Sequence, residues 1–161
     1  MTLKVGDKIP SVTLKYMDEG GNMQAISTDE LFKGKKVVLF ALPGAFTPTC
    51  SAKHLPGFVQ SADKLKEKGV DAIACLSVND AFVMNAWSKD QKVDGKVMML
   101  ADGNAEFSKA VGLTMDGTGY GMGLRSQRYA MVVEDGVVKT LNIEAPGAFE
   151  VSSAESILKA L

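Results

Sequence analysis

Cys50 closes the stretch Ala41-Leu-Pro-Gly-Ala-Phe-Thr-Pro-Thr-Cys50, with Thr47 three residues before it and His54 four residues after it. A thiol with such neighbours can do nucleophilic chemistry, because the thiolate is the attacking form and its surroundings set how much thiolate is present. A dithiol exchange motif would carry cysteine at position 47. Threonine there removes the local partner thiol and leaves a hydroxyl that can donate to the sulfur or to a bound oxygen atom. That arrangement favours an oxygen-rich electrophile over disulfide exchange. His54 shares a helical face with Cys50. It reads either as the base of a Cys–His pair in a Cys hydrolase or as a polar residue that lines the same cleft or caps a neighbour. No third group that would orient the imidazole is evident, so the second reading is preferred and the hydrolase is kept as the alternative. Cys50 could also be an inert core thiol, since free cysteines are often buried.

The elements that must hold these residues follow from the hydrophobic pattern. Val37-Val-Leu-Phe-Ala-Leu42 is an apolar run that predicts a buried strand, and Pro43, Gly44 and Pro48 stop it. The spacing of His54, Phe58, Ala62 and Leu65 predicts a helix to about Lys68, with Gly69 ending it and a kink at Pro56. Cys50 then sits at a helix N-terminus, where unpaired N–H groups and the positive dipole end favour thiolate. Residues 71–78 predict a second buried strand, which carries Cys75.

Upstream, residues 9–17 and 23–26 flank a turn, and Ser27-Thr-Asp-Glu30 is a capping box. Downstream, Asn79-Asp80 can cap a helix, residues 97–101 form a strand, and Asn104 begins a further helix. Residues 128–133 and 137–142 flank the hairpin turn Glu134-Asp-Gly136, and Ser152 or Ser153 opens the last helix. Residues 114–123 read as a glycine-rich loop. A nucleotide site is not indicated, because no Gly-Lys-Ser/Thr follows. The sum is an α/β fold, a mixed central sheet flanked by helices, as a single domain over residues 1–161.

A net charge of −1 supplies no basic surface for a phosphate backbone, so nucleic acid is not an expected partner. No apolar run reaches membrane-spanning length, so no membrane partner is expected. Two cysteines make no disulfide scaffold, and one histidine leaves a Cys/His zinc site short of ligands. Together with the lack of an apolar leader, this points to a reducing, cytoplasmic setting.

Pro43-x-x-x-Thr47-x-x-Cys50 resembles the active-site pattern of the peroxiredoxins. Lys4-Val-Gly-Asp-Lys-Ile-Pro10, His54-Leu-Pro-Gly-Phe58, Cys75-Leu-Ser-Val-Asn-Asp-Ala-Phe82 and Arg128-Tyr-Ala-Met-Val-Val133 are similar to the type II, peroxiredoxin-five branch. The resemblance spans nearly the whole chain. It implies a thioredoxin-like fold with an N-terminal β-hairpin extension. It also implies a thiol peroxidase, an antioxidant enzyme that reduces hydrogen peroxide and organic hydroperoxides without metal, flavin or other cofactor. By the resemblance Cys50 is the peroxidatic nucleophile, Thr47 and Arg128 complete its site, and Pro43 shields it. Gly44, Phe46 and His54 would line the substrate pocket. Oxidised Cys50 would be a sulfenic acid, recycled by glutathione, glutaredoxin or thioredoxin, and the chain would pair as a homodimer. Some relatives carry a resolving cysteine at the position of Cys75. Here its apolar, strand-like surroundings argue instead for a core residue and for a one-cysteine cycle.

Overall fold

The computed structural model describes residues 2–161. Two apolar runs lie at its centre, β3 (Lys36–Ala41) and β4 (Ala72–Ser77), after β1 (Thr13–Met17), β2 (Met23–Ser27) and α1 (Thr28–Phe32). They pair in parallel with Phe40 opposite Cys75. Neither run alternates apolar with polar, because both faces of the sheet are covered. The remaining elements are α2 (Leu55–Glu67), α3 (Ala81–Asp90), β5 (Met98–Ala101), α4 (Glu106–Ala110), β6 (Thr114–Asp116), β7 (Leu124–Ser126), β8 (Tyr129–Glu134), β9 (Val137–Ile143) and α5 (Ala154–Ala160). A seven-stranded mixed sheet runs in the order β2-β1-β5-β4-β3-β8-β9. The N-terminal hairpin thus extends one edge, where β1 meets β5 antiparallel.

Strand alternation sorts the core into two layers. Val37, Leu39 and Ala41 pack with Leu31 and Phe32 of α1 and Phe107 of α4. Val38, Phe40 and Leu42 face the other way, onto Leu55, Phe58 and Leu65 of α2, Trp87 of α3 and Ile157 of α5. Phe40 and Phe58 stack with centroids 4.1 Å apart, so truncating Phe58 to Ala would cost about 3–5 kcal/mol. Cys50, Cys75, Ala130 and Val132 all belong to this second layer. Arg128 stands two residues before Ala130, so the same alternation aims it at the Cys50 side.

Three expectations are refined. Pro56 does not lie in the interior of a regular helix. Pro48 and Thr49 are already helical, Cys50–His54 forms a π-turn in which the Leu55 N–H donates to the Cys50 carbonyl, and α2 follows with Pro56 in its first turn. A regular helix would set the proline ring against the Ala52 carbonyl, and the wider turn relieves that clash. Residues 114–123 are not a plain loop either. β6 and β7 pair across a 3₁₀ turn, Thr118–Tyr120. Gly117 is required there, because a Cβ would lie 2.9 Å from the Gly123 carbonyl oxygen. The helix expected from Asn104 begins instead at Glu106, with the Asp102 carboxylate accepting the N–H groups of Phe107 and Ser108. No helix among the described residues is long and apolar enough to cross a membrane.

Candidate active site

The end of β3 feeds a tight loop, and hydrogen bonds from distant segments fix its course. Asn79 Oδ1 accepts the Ala45 N–H at 2.9 Å. The Arg125 guanidinium donates to the carbonyls of Met122 (2.9 Å), Val78 (3.2 Å) and Pro43 (3.5 Å). Gly44 lies under that guanidinium, and a Cβ there would meet Arg125 Nη1 at 3.0 Å. Phe46 takes the left-handed conformation (φ 64°) at the bend. These contacts bring the chain into the helix so that Cys50 falls in its first turn, where N–H groups have no intrahelical acceptor.

Arg128 Nη2 donates to Cys50 Sγ at 3.1 Å. The guanidinium is charged at every working pH and donates only, so the sulfur meets a fixed cation. Cys50 itself is fully buried, while Arg128 reaches from the sulfur to the wall of a cleft of about 720 Å³. Pro43, Thr47, Pro48, Met115 and Met122 also line that cleft. The Thr47 hydroxyl donates to the Gly44 carbonyl at 2.7 Å. Its proton is therefore committed, and it meets the cleft as an acceptor rather than as the donor expected from the sequence. A cleft of similar size, about 690 Å³, lies between Asp18, Lys66, Lys89 and Lys96, but neither cysteine and no arginine lines it.

Gly44, Phe46 and His54 do not line the cleft beside Arg128. Phe46 is 53% exposed, its ring centroid 6.4 Å from that of Trp87. His54 is fully buried behind Arg128, with Nδ1 2.8 Å from Arg128 Nη1 and Nε2 2.9 Å from the Ser152 carbonyl. Both ring nitrogens are occupied, so no Cys–His nucleophilic pair forms and the hydrolase reading loses its base. Burial first, and the Arg128 charge second, push the His54 pKa down to about 3.

Cys75 lies in the middle of β4, fully buried. Burial, and then the nearness of Cys50, raise its pKa well above the ordinary thiol value. Sequence reasoning missed Arg125, Asn79, Glu144 and Ser152. Arg125 and Asn79 bind backbone groups of remote segments, and Glu144 and Ser152 bind each other's turn, pairings that no residue pattern marks.

The sequence matches the Redoxin family over residues 4–158. It is 54% identical to Peroxiredoxin-2E, chloroplastic, of Arabidopsis thaliana, over 99% of this chain and 70% of the relative. It is 49% identical to Peroxiredoxin-2B of the same plant, over 99% of this chain and 98% of the relative. The crystal structure of reduced Prx3 in complex with H2O2 from Vibrio vulnificus superposes with a TM-score of 0.94 at 58% identity, covering 99% of each chain. A buried cysteine bonded to an arginine that reaches the wall of a cleft, on a thioredoxin-like sheet, thus falls within a family already defined by sequence: the chain belongs to the peroxiredoxins, and to their type II branch.

Proposed function

We propose that this thiol peroxidase reduces hydrogen peroxide and organic hydroperoxides at Cys50 and is recycled by an external thiol. The contact between Arg128 Nη2 and Cys50 Sγ carries the reading, because it joins a nucleophile to a fixed cation at the edge of a cleft. The thiolate attacks one peroxide oxygen. An S–O bond forms as the O–O bond breaks, and the departing oxygen takes a proton to leave as water or alcohol. Sulfur gives up two electrons and becomes a sulfenic acid. Arg128 stabilises charge growing on the oxygens, and the Thr47 oxygen accepts the peroxide O–H and so orients it. Pro43 shields the sulfur from bulk water. The apolar walls from Pro43, Met115 and Met122 suit an alkyl group on the peroxide.

Recycling follows a one-cysteine route in this reading. Glutathione condenses with the sulfenic acid, releasing water and leaving a mixed disulfide, and glutaredoxin or a second thiol then restores the thiolate. Thioredoxin is the competing reductant. The unpaired state of both cysteines suits a reducing compartment such as the cytoplasm. Exposed Phe46 (53%) and Tyr120 (84%) suit a face covered by a second copy of the chain. Peroxide consumption with glutathione, glutaredoxin plus glutathione, and thioredoxin, each supplied alone, tests the route. Turnover is expected with the first two, and support from thioredoxin alone would overturn the preference.

A further inference from the structure

A guanidinium on a long side chain helps a sulfur only when something aims it, since free rotation of that chain carries a large entropy. Arg128 is aimed from both ends. Its carbonyl accepts the Glu144 N–H at 3.0 Å. Its Nη1 donates to His54 Nδ1 at 2.8 Å, and its Cζ lies 5.8 Å from the centre of the Phe149 ring. The protonation of the imidazole follows from its partners. A guanidinium can only donate and the Ser152 carbonyl can only accept, so His54 is neutral with its proton on Nε2.

The Ser152 turn is itself held. The Glu144 carboxylate accepts the N–H groups of Glu150, Val151 and Ser152 and the Ser152 hydroxyl, all at 2.6–2.9 Å. Burial works to raise the Glu144 pKa, but these hydrogen bonds outweigh it, and the carboxyl lies below the ordinary glutamate range. The links close on themselves: Arg128 to His54, His54 to Ser152, Ser152 to Glu144, and Glu144 back to the Arg128 backbone.

We propose that His54 and Glu144 are positioning residues for the peroxidase, closing a hydrogen-bonded ring that holds the Arg128 guanidinium on the Cys50 sulfur. Neither hydrogen bonds to the sulfur. The choice of a neutral acceptor has a chemical reason. A carboxylate beside Arg128 would orient the guanidinium but also draw its charge away from the thiolate. An uncharged imidazole orients it and leaves the charge free. The carboxylate that the ring does contain is occupied by N–H and O–H donors. This inference rests on the reading of Arg128 as the group that acts on Cys50.

His54→Phe keeps an aromatic ring against Phe40, Phe58 and Phe149 and removes the acceptor. It is expected to lower the thiolate absorbance of Cys50 at pH 7 and to slow single-turnover reaction with hydrogen peroxide by about tenfold, the scale of one lost hydrogen bond to a charged group. His54→Gln, whose amide can accept from Arg128 and donate to Ser152, should restore the rate to within a few fold. Glu144→Gln should act in the same direction as His54→Phe, and it serves as the second probe if His54→Phe fails to fold. Leu65→Ala, a core truncation in α2 outside the ring, should lose stability and leave thiolate absorbance and rate unchanged. In an Arg128→Met background, the loss from His54→Phe should shrink to less than about twofold, because the two act as one unit. Wild-type rate and thiolate absorbance in folded His54→Phe or Glu144→Gln would overturn the proposal, as would an equal loss in both backgrounds. A wild-type rate in Arg128→Met alone would instead overturn the reading of Arg128.

Discussion

Cys50 and Cys75 share one hydrophobic layer, and neither side chain reaches solvent. They differ in what stands beside the sulfur. Cys50 begins a π-turn and receives a donor from Arg128 at 3.1 Å. Cys75 is held in a central strand, paired on both sides by β3 and β5, where burial favours the neutral thiol. Exposure therefore does not distinguish the two thiols in this fold. The donor aimed at Cys50 does, together with its place in a helical turn rather than in a paired strand.

The largest test of that contrast is Cys50→Ser. The fold should persist and peroxide turnover should disappear. Substantial turnover by the folded variant would transfer the chemistry elsewhere. Arg128→Met comes next. Loss of one preorganised donor of this kind costs about 10²–10³ in rate, so kcat/KM for peroxide should fall by roughly that factor while the fold stays intact. A normal rate would make the two sulfurs equivalent in their need for a partner.

His54 provides a test by pH. Its folded pKa of about 3 lies below the ordinary value of 6.5, so between these limits the unfolded chain binds a proton that the folded one refuses. Stability contributed by this site is intact above about pH 7 and falls as pH drops through 6.5, reaching a loss of about 2 kcal/mol at pH 5. Denaturant titration of the native protein and of His54→Gln at pH 7 and pH 5 should show this difference between them. Equal pH dependence would place the imidazole in contact with water.

The smallest effect is expected from Cys75→Ser. Glutathione-supported turnover should remain within about twofold of wild type, with a stability loss of about 1–3 kcal/mol from burying a hydroxyl. Mass spectrometry after one equivalent of peroxide should find no Cys50–Cys75 disulfide. A quantitative bond between them, with turnover lost in the variant, would mean that the core opens and that the two thiols form one catalytic pair.

Much of the frame around Cys50 was legible in the sequence. The run Val37–Leu42 and the prolines after it place the thiol at a strand-to-helix junction, whereas Arg128 joined the site only through the family resemblance, because its layer is known only once the strands are paired. His54 was legible only as a residue on the Cys50 face. Which group its nitrogens meet depends on the Ser152 carbonyl, 98 residues away, and on a π-turn that periodicity does not reveal. Arg125 and Asn79 bind backbone atoms of a loop, and no residue pattern marks a carbonyl as a partner. The glycines of residues 114–123 announced tight turns but not the short strands between them, because those strands are only three residues each.

The ring around Arg128 also has a temporal meaning. A ribosome releases Cys50 long before Arg128, which follows 78 residues later, and Ser152 follows after that. The nascent chain therefore carries a plain thiol, without its guanidinium and without the turn that aims it. On the proposed mechanism, rapid attack on peroxide has to wait until both late segments have been translated and packed onto the early helix.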